Sequence, residues 1–179
     1  MMGFILLILI DNCDRVYFID IDFTIAFYGG NMIYIIHFAV AVITTIAFAI
    51  LFSAPKKELI FCGLSGALGW IVYFVMTKAG FGVVISSAAA TFLLTIFSRA
   101  FAVIRCVPAT IYLLAGIFPL VPGAGIFYTA YNLFIDNTMY ASAKAIETFE
   151  IAGAIVIGIV FGFAIPQGLM GKLGAFSSK

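Results

Sequence analysis

Charge is what this chain has least of. Of 179 residues, nine are Lys or Arg and eight are Asp or Glu, 9% in all, where soluble domains carry roughly 25%. An ordinary soluble globular domain is excluded by that shortage. The net charge of +1 comes with no basic block, so a nucleic-acid surface is excluded too. The three cysteines, Cys13, Cys62 and Cys106, are odd in number, far apart and without a CxxC pair. Free thiols are expected, with neither a disulfide framework nor a metal site. There is one histidine, and no Gly-rich phosphate loop, HExxH or nucleophile elbow. Such poverty in polar side chains argues against an enzyme and against a bound cofactor.

What the chain has instead is apolar length. It is 65% hydrophobic with a mean hydropathy of +1.24, and its charges are gathered into short stretches between runs long enough to cross a bilayer. The expectation is an all-α polytopic protein of the bacterial inner membrane, with about five membrane helices. Residues 1–31 form a poorly defined extension. Their apolar start has no basic n-region and no small-residue cleavage site, so a signal peptide fits badly, and Met32 offers an alternative start. Residues 32–171 are the transmembrane unit and 172–179 a short tail.

The spans read as follows. Span 1 covers residues 32–52 and stops at Ala54-Pro55-Lys56-Lys57. Span 2, residues 59–76, carries Gly63, Ser65, Gly66 and Gly69 as a small face for close packing. Span 3, residues 81–98, has a small, slightly polar middle, and Arg99 and Arg105 bracket the loop after it. Span 4, residues 108–118, is short. The last, residues 151–169, carries Ala154, Gly158 and Gly162 as a small-xxx-small ladder.

The most informative stretch is the uncharged run from 106 to 135, which holds Pro108, Pro119 and Pro122. As one helix it would be about 45 Å long, beyond the roughly 30 Å of a hydrocarbon core. Proline inside it removes backbone hydrogen bonds, and the freed carbonyls survive at membrane depth only inside protein or beside water. Pro119, Pro122 and Gly123 therefore predict a broken helix, with a second helix starting near Gly123. Along that helix Thr129, Asn132, Asp136, Tyr140 and Glu147 recur at steps of three, four, four and seven, which predicts a polar stripe on one face. The count is five inserted helices, or six if the second helix crosses fully. With five, Lys56, Lys57, Arg99, Arg105, Lys172 and Lys179 share one side against Arg15, Lys78 and Lys144, so the C-terminus is expected in the cytoplasm.

Pro108-Ala-Thr, Phe118-Pro119-Leu-Val-Pro122-Gly123 and the aromatic Tyr128 together resemble the C-terminal five-helix half of the threonine/serine exporter family. Phe52-Ser-Ala-Pro55, the Cys62 to Gly69 segment, Ser98-Arg99 and Gly162-Phe-Ala-Ile-Pro166 agree in order, so the resemblance covers about residues 32–170. In that family some members are single ten-helix chains and others are split into two polypeptides. This chain is similar to the smaller split subunit. The resemblance implies export of threonine and serine driven by the proton gradient, with a larger membrane subunit as partner. A related split pair is associated with succinate export, which keeps a dicarboxylate as an alternative substrate. The family's other half has no counterpart here, and a homo-oligomer stays open.

The candidate substrate-binding residues are Pro119, Pro122, Gly123, Gly125, Tyr128, Asn132, Asp136 and Arg99. An exposed helix N-terminus near Gly123–Gly125 would offer N–H groups and a positive dipole end to a carboxylate. Several of these, and two other residues, have a plainer alternative. The elbow reads also as a surface loop, and Asp136 as a solvated rim residue. Arg99 and Arg105 read also as positive-inside anchors, and His37 as an interfacial residue in place of a proton relay. A membrane subunit that stabilises a partner without transporting is the rival to the exporter.

Overall fold

The structure, a computed structural model, describes residues 30–165, with side chains from residue 34. The extension to residue 29, Cys13 and the tail 172–179 lie outside the described residues. The fold is all-α, with no strand among the described residues: α1 (Gly30–Leu51), α2 (Leu59–Lys78), α3 (Val83–Arg105), α4 (Ala109–Ile117), α5 (Gly123–Phe134) and α6 (Thr138–Ala164). Short 3-10 turns, Lys56–Glu58 and Phe118–Leu120, precede α2 and follow α4. Four helices are long and apolar enough to cross a membrane, and α4 with α5 makes a fifth, bent by 49°. At 12 residues, about 18 Å, α5 is too short to cross alone, so the described residues hold no sixth crossing.

Helix is the only open-ended way for these runs to satisfy their backbone in hydrocarbon, which is why β-branched α1 is helical against its propensity. The ends are set by local chemistry. After α1, Ser53 takes a left-handed φ of 56°; its N–H donates to Ile50 O, and Ala54 N–H to Ala49 O, each at 2.9 Å. That is a Schellman closure, and Pro55 blocks any continuation. Gly80, at φ 89°, closes α2 in the same way, with Phe81 N–H donating to Met76 O.

Packing places α2 at the centre, against α1, α3 and α4, while α6 packs along α3, and α5 packs on α6. Small residues make the seams. Gly63 and Gly66 face α1, Gly69 and Gly116 face Leu94, and Gly158 and Gly162 face Thr91 and Thr95 of α3. Three hydroxyls of α3 are satisfied within their own helix: Ser87 donates to Val83 O, Thr91 to Ser87 O and Thr95 to Thr91 O, each at 2.8 Å, while the buried Ser98 Oγ has no partner among the described residues. Trp70 of α2 donates its indole N–H to His37 Nδ1 of α1 at 3.3 Å. His37 is thus a packing partner between helices, its ring 4.2 Å from that of Phe74.

Three expectations are corrected. The loop bracketed by Arg99 and Arg105 is helix, because α3 runs on to Arg105. The polar stripe does not lie on one helix: α5 ends at Phe134 and α6 begins at Thr138, so Asp136 is in the turn. The last helix begins well before residue 151. Gly158 meets Thr91 and Gly162 meets Thr95, a constant offset that puts residue 150 level with the start of α3. The first turns of α6, with Lys144, Glu147 and Glu150, therefore project beyond α3 at the Lys78 end. Hydropathy reads the level of the bilayer there, and the helix outruns it.

Candidate functional site

The break between α4 and α5 is built residue by residue. Pro108 precedes the first residue of α4, where a fixed φ suits a helix start. Pro119 then deprives the helix of one N–H, and the chain tightens into the Phe118–Leu120 turn. Phe118 is held there by stacking on Phe48, with ring centroids 4.3 Å apart. Val121 is extended. Pro122, at φ −75° and ψ 57°, forms an inverse γ-turn, in which Gly123 N–H donates to Val121 O at 2.7 Å. The first bond of α5 follows, from Ile126 N–H to Pro122 O at 3.1 Å. No side chain caps α5.

Depth follows from packing. Gly116, three residues before Pro119, meets Gly66 and Leu94, which stand near the centres of α2 and α3. The break thus begins close to mid-depth, and α5 climbs from it to the Lys78 end. It also joins two neighbourhoods, since α4 belongs with α1, α2 and α3 while α5 belongs with α6.

The predicted site residues divide into three groups. Pro119 and Pro122 are buried at the elbow, and Gly123 and Gly125 are partly open beside them. Gly125 has no room for a side chain, because a Cβ there would meet Thr148 Oγ1 of α6. Tyr128 is exposed one turn further on, in an aromatic face with Phe127 and Tyr131. Asn132 is buried, and its amide donates to Tyr128 O at 2.7 Å, while Thr129 donates to Gly125 O at 2.8 Å. The remaining two lie elsewhere. Asp136, exposed, stands beyond the far end of α5 at a left-handed φ of 62°; about 18 Å of helix separates it from the elbow. Arg99 is buried, and its Nη1 donates to Gly162 O and Ile165 O at 2.7 Å and to Phe163 O at 3.3 Å. It caps the C-terminus of α6, where a cation meets the negative dipole end and unpaired carbonyls.

One polar cluster escapes sequence reasoning altogether. Glu58, buried at the start of α2, takes Arg105 Nη2 at 2.8 Å on Oε1 and the Tyr112 hydroxyl at 2.6 Å on Oε2. Arg105 Nε completes the fork at 3.2 Å, and its guanidinium lies 4.8 Å from the Phe61 ring centroid. Its members come from three helices, and Lys56-Lys57-Glu58 reads in sequence as plain interfacial charge. The one available signal is a lone acid among the basic residues of that end.

A groove of about 730 Å³ between α3 and α6 is lined by Ile85, Ala88, Phe92, Ile157 and Phe161 among others. Its walls are carbon, which suits an acyl chain and gives nothing to a carboxylate.

The family model described as "Threonine/Serine exporter, ThrE" matches residues 37–165, from the first turns of α1 to the residue after α6. The chain belongs to the threonine/serine exporter family. A probable threonine/serine exporter of Mycobacterium tuberculosis is 25% identical to it over 145 residues. That match covers 80% of this chain and 27% of the relative, so the chain spans about a quarter of the relative's length. No solved structure matches it. The family is one of membrane transporters, not enzymes, and the broken helix falls inside the matched region.

Proposed function

We propose that this chain is one subunit of a secondary-active exporter of threonine, serine or a similar small carboxylate-bearing metabolite. It works with a larger membrane partner in the bacterial inner membrane. The observation that carries this is a Pro/Gly break near mid-depth in a member of an exporter family. Irregular backbone at such depth needs protein or water beside it, and half-helix ends of this kind hold anionic groups in transporters.

In this reading the Ala124 and Gly125 N–H groups meet the substrate carboxylate at the N-terminus of α5. Pro119, Pro122 and Gly123 hold that end open, and Gly125 keeps α5 tight on α6. Tyr128, one turn on, contributes a polar tip, and Asn132 stiffens the helix behind it. Succinate presents the same carboxylate, which makes a dicarboxylate the second substrate to test. The exposed side of α5 faces the partner, and alternating access comes from rocking at the glycine seams. The Lys56 end, with Lys57 and Arg105, is cytoplasmic by the positive-inside rule, and so is the C-terminus.

The test is efflux from cells lacking their own exporters and preloaded with a threonine-containing dipeptide. The chain is expressed alone and with the larger partner, and succinate is followed in parallel. Threonine efflux in the pair supports the proposal, and succinate efflux alone changes the substrate. No efflux of either, with both proteins in the membrane, overturns it in favour of a non-transporting subunit.

A further inference from the structure

Glu58 is the one acidic side chain buried among the described residues, and it sits at the very start of a segment that spans. A buried carboxylate is expensive unless it is paired and hydrogen-bonded. Its surroundings connect it to movement. Arg105 is the last residue of α3 and Tyr112 lies in the first turns of α4, so one carboxylate joins the starts of α2 and α4 to the end of α3. The other polar ties between α2 and α4 are longer: Ser65 Oγ to Tyr112 O at 3.5 Å and Cys62 Sγ to Ile111 O at 4.0 Å. Side-chain exposure within the pair is unequal, 36% for Arg105 and 7% for Glu58. Arg105 is open to water, and Glu58 is largely shielded from it.

We propose that Glu58 is a proton-binding site whose occupancy releases α4 from α2 and α3. A proton on the carboxyl removes the charged partner of the exposed Arg105 guanidinium, and the attraction that held it against the start of α2 is lost. Arg105 then swings to solvent. The Tyr112 hydroxyl, which donates to Oε2 at 2.6 Å, loses a charged acceptor in the same event. Proton binding and latch opening must favour each other equally, by linkage. The groups facing Glu58 are Lys57 from its own turn, Cys62 from α2, Arg105 from α3 and Tyr112 from α4. The titratable side chains described in α1, Tyr34 and His37, lie toward its other end. Since α4 is the first half of the broken span, a proton at one end of the bundle controls the helix that carries the elbow. The inference rests on the exporter reading only for the use made of that movement.

Two readouts test it without transport. In the full chain carrying C13S and C106S, reconstituted in lipid, Cys62 is buried between α2 and α4, and its alkylation reports their separation. At fixed pH, E58Q and R105Q are both expected to speed alkylation at least about tenfold, the equivalent of 1.4 kcal/mol; the Glu58 charge by itself slows reaction of the nearby thiol and R105Q keeps that charge, so a rise in E58Q alone overturns the proposal. An unchanged rate in E58Q of normal helix content overturns the proposal. Infrared titration of the native chain toward acid pH should then show a protonated-carboxyl band that shifts in Y112F. If E58Q does not fold, that band decides alone: its absence, or its indifference to Y112F, overturns the proposal. Failure of the efflux assay removes the exporter and leaves both readouts intact.

Discussion

Gly66 of α2 and Gly116 of α4 meet backbone to backbone: a Cβ built on Gly116 would lie 3.3 Å from Gly66 Cα and 2.7 Å from Leu94 Cδ1. This contact seats α4 on the central helix and so sets the depth of the break. Its tolerance should differ from that of the α3–α6 seam. At Gly116 the nearest obstacle is the tip of a leucine, which can turn aside. At Gly158 it is Thr91 Oγ1 together with the Ala88 carbonyl oxygen, and backbone does not move cheaply. G158A is expected to cost about 1–3 kcal/mol, in the range of overpacked cores, and G116A distinctly less. Thermal unfolding of the full chain in detergent measures both; equal melting temperatures for the two variants would contradict the packing described.

How legible was this in the sequence? The helices that cross alone were plain, because hydropathy and Pro/Gly punctuation act within a few residues. Span 1 was expected at 32–52 and the helix is Gly30–Leu51. The break was legible for the same reason, since Pro119 and Pro122 act on their own backbone. The stripe from Thr129 to Glu147 failed because periodicity cannot see a helix end. Asp136 in the left-handed region closes α5, and Asn137 caps α6 by accepting from Tyr140 N–H. Glu58 and Arg105 were illegible as a pair because only the folded bundle brings them together. The same holds for Arg99 and the end of α6.

Pro119 and Pro122 hold the elbow open against the preference of an apolar run for continuous helix. A proline inside a helix costs about 3 kcal/mol, so the double variant P119A/P122A should favour a straight span by a similar amount. At 1.4 kcal/mol per factor of ten, efflux through the paired exporter should fall by about a hundredfold. The melting temperature should hold or rise. P55A, outside the break, serves as the control. Undiminished efflux from a stably assembled double variant would reduce the elbow to a structural kink.

Arg99 has two readings that kinetics can separate. Its Nη1 serves three carbonyls at the end of α6, and hydrogen bonds from a charged group are worth about 1.5–3 kcal/mol. R99Q should therefore lower stability by about 2 kcal/mol and leave the apparent KM for the exported amino acid unchanged. R99K, which keeps the charge but not the fork, should fall between. A raised KM at an unchanged melting temperature would restore Arg99 as a carboxylate clamp.

Asp136 closes α5 with φ at 62°. Its own N–H donates to Leu133 O at 3.3 Å, and Asn137 N–H donates to Asn132 O at 2.9 Å. Asp is tolerated in this conformation and Asn equally so, while a β-branched residue is not. D136N should thus be silent in both stability and efflux, D136G silent or slightly stabilising, and D136V destabilising by about 1–2 kcal/mol. The order reports backbone geometry and nothing about charge. A carboxylate that held a substrate ammonium or carried a proton would produce a different order, with D136N and D136G losing efflux alike. Efflux and melting temperature measured on the same three variants therefore separate a turn residue from a transport residue.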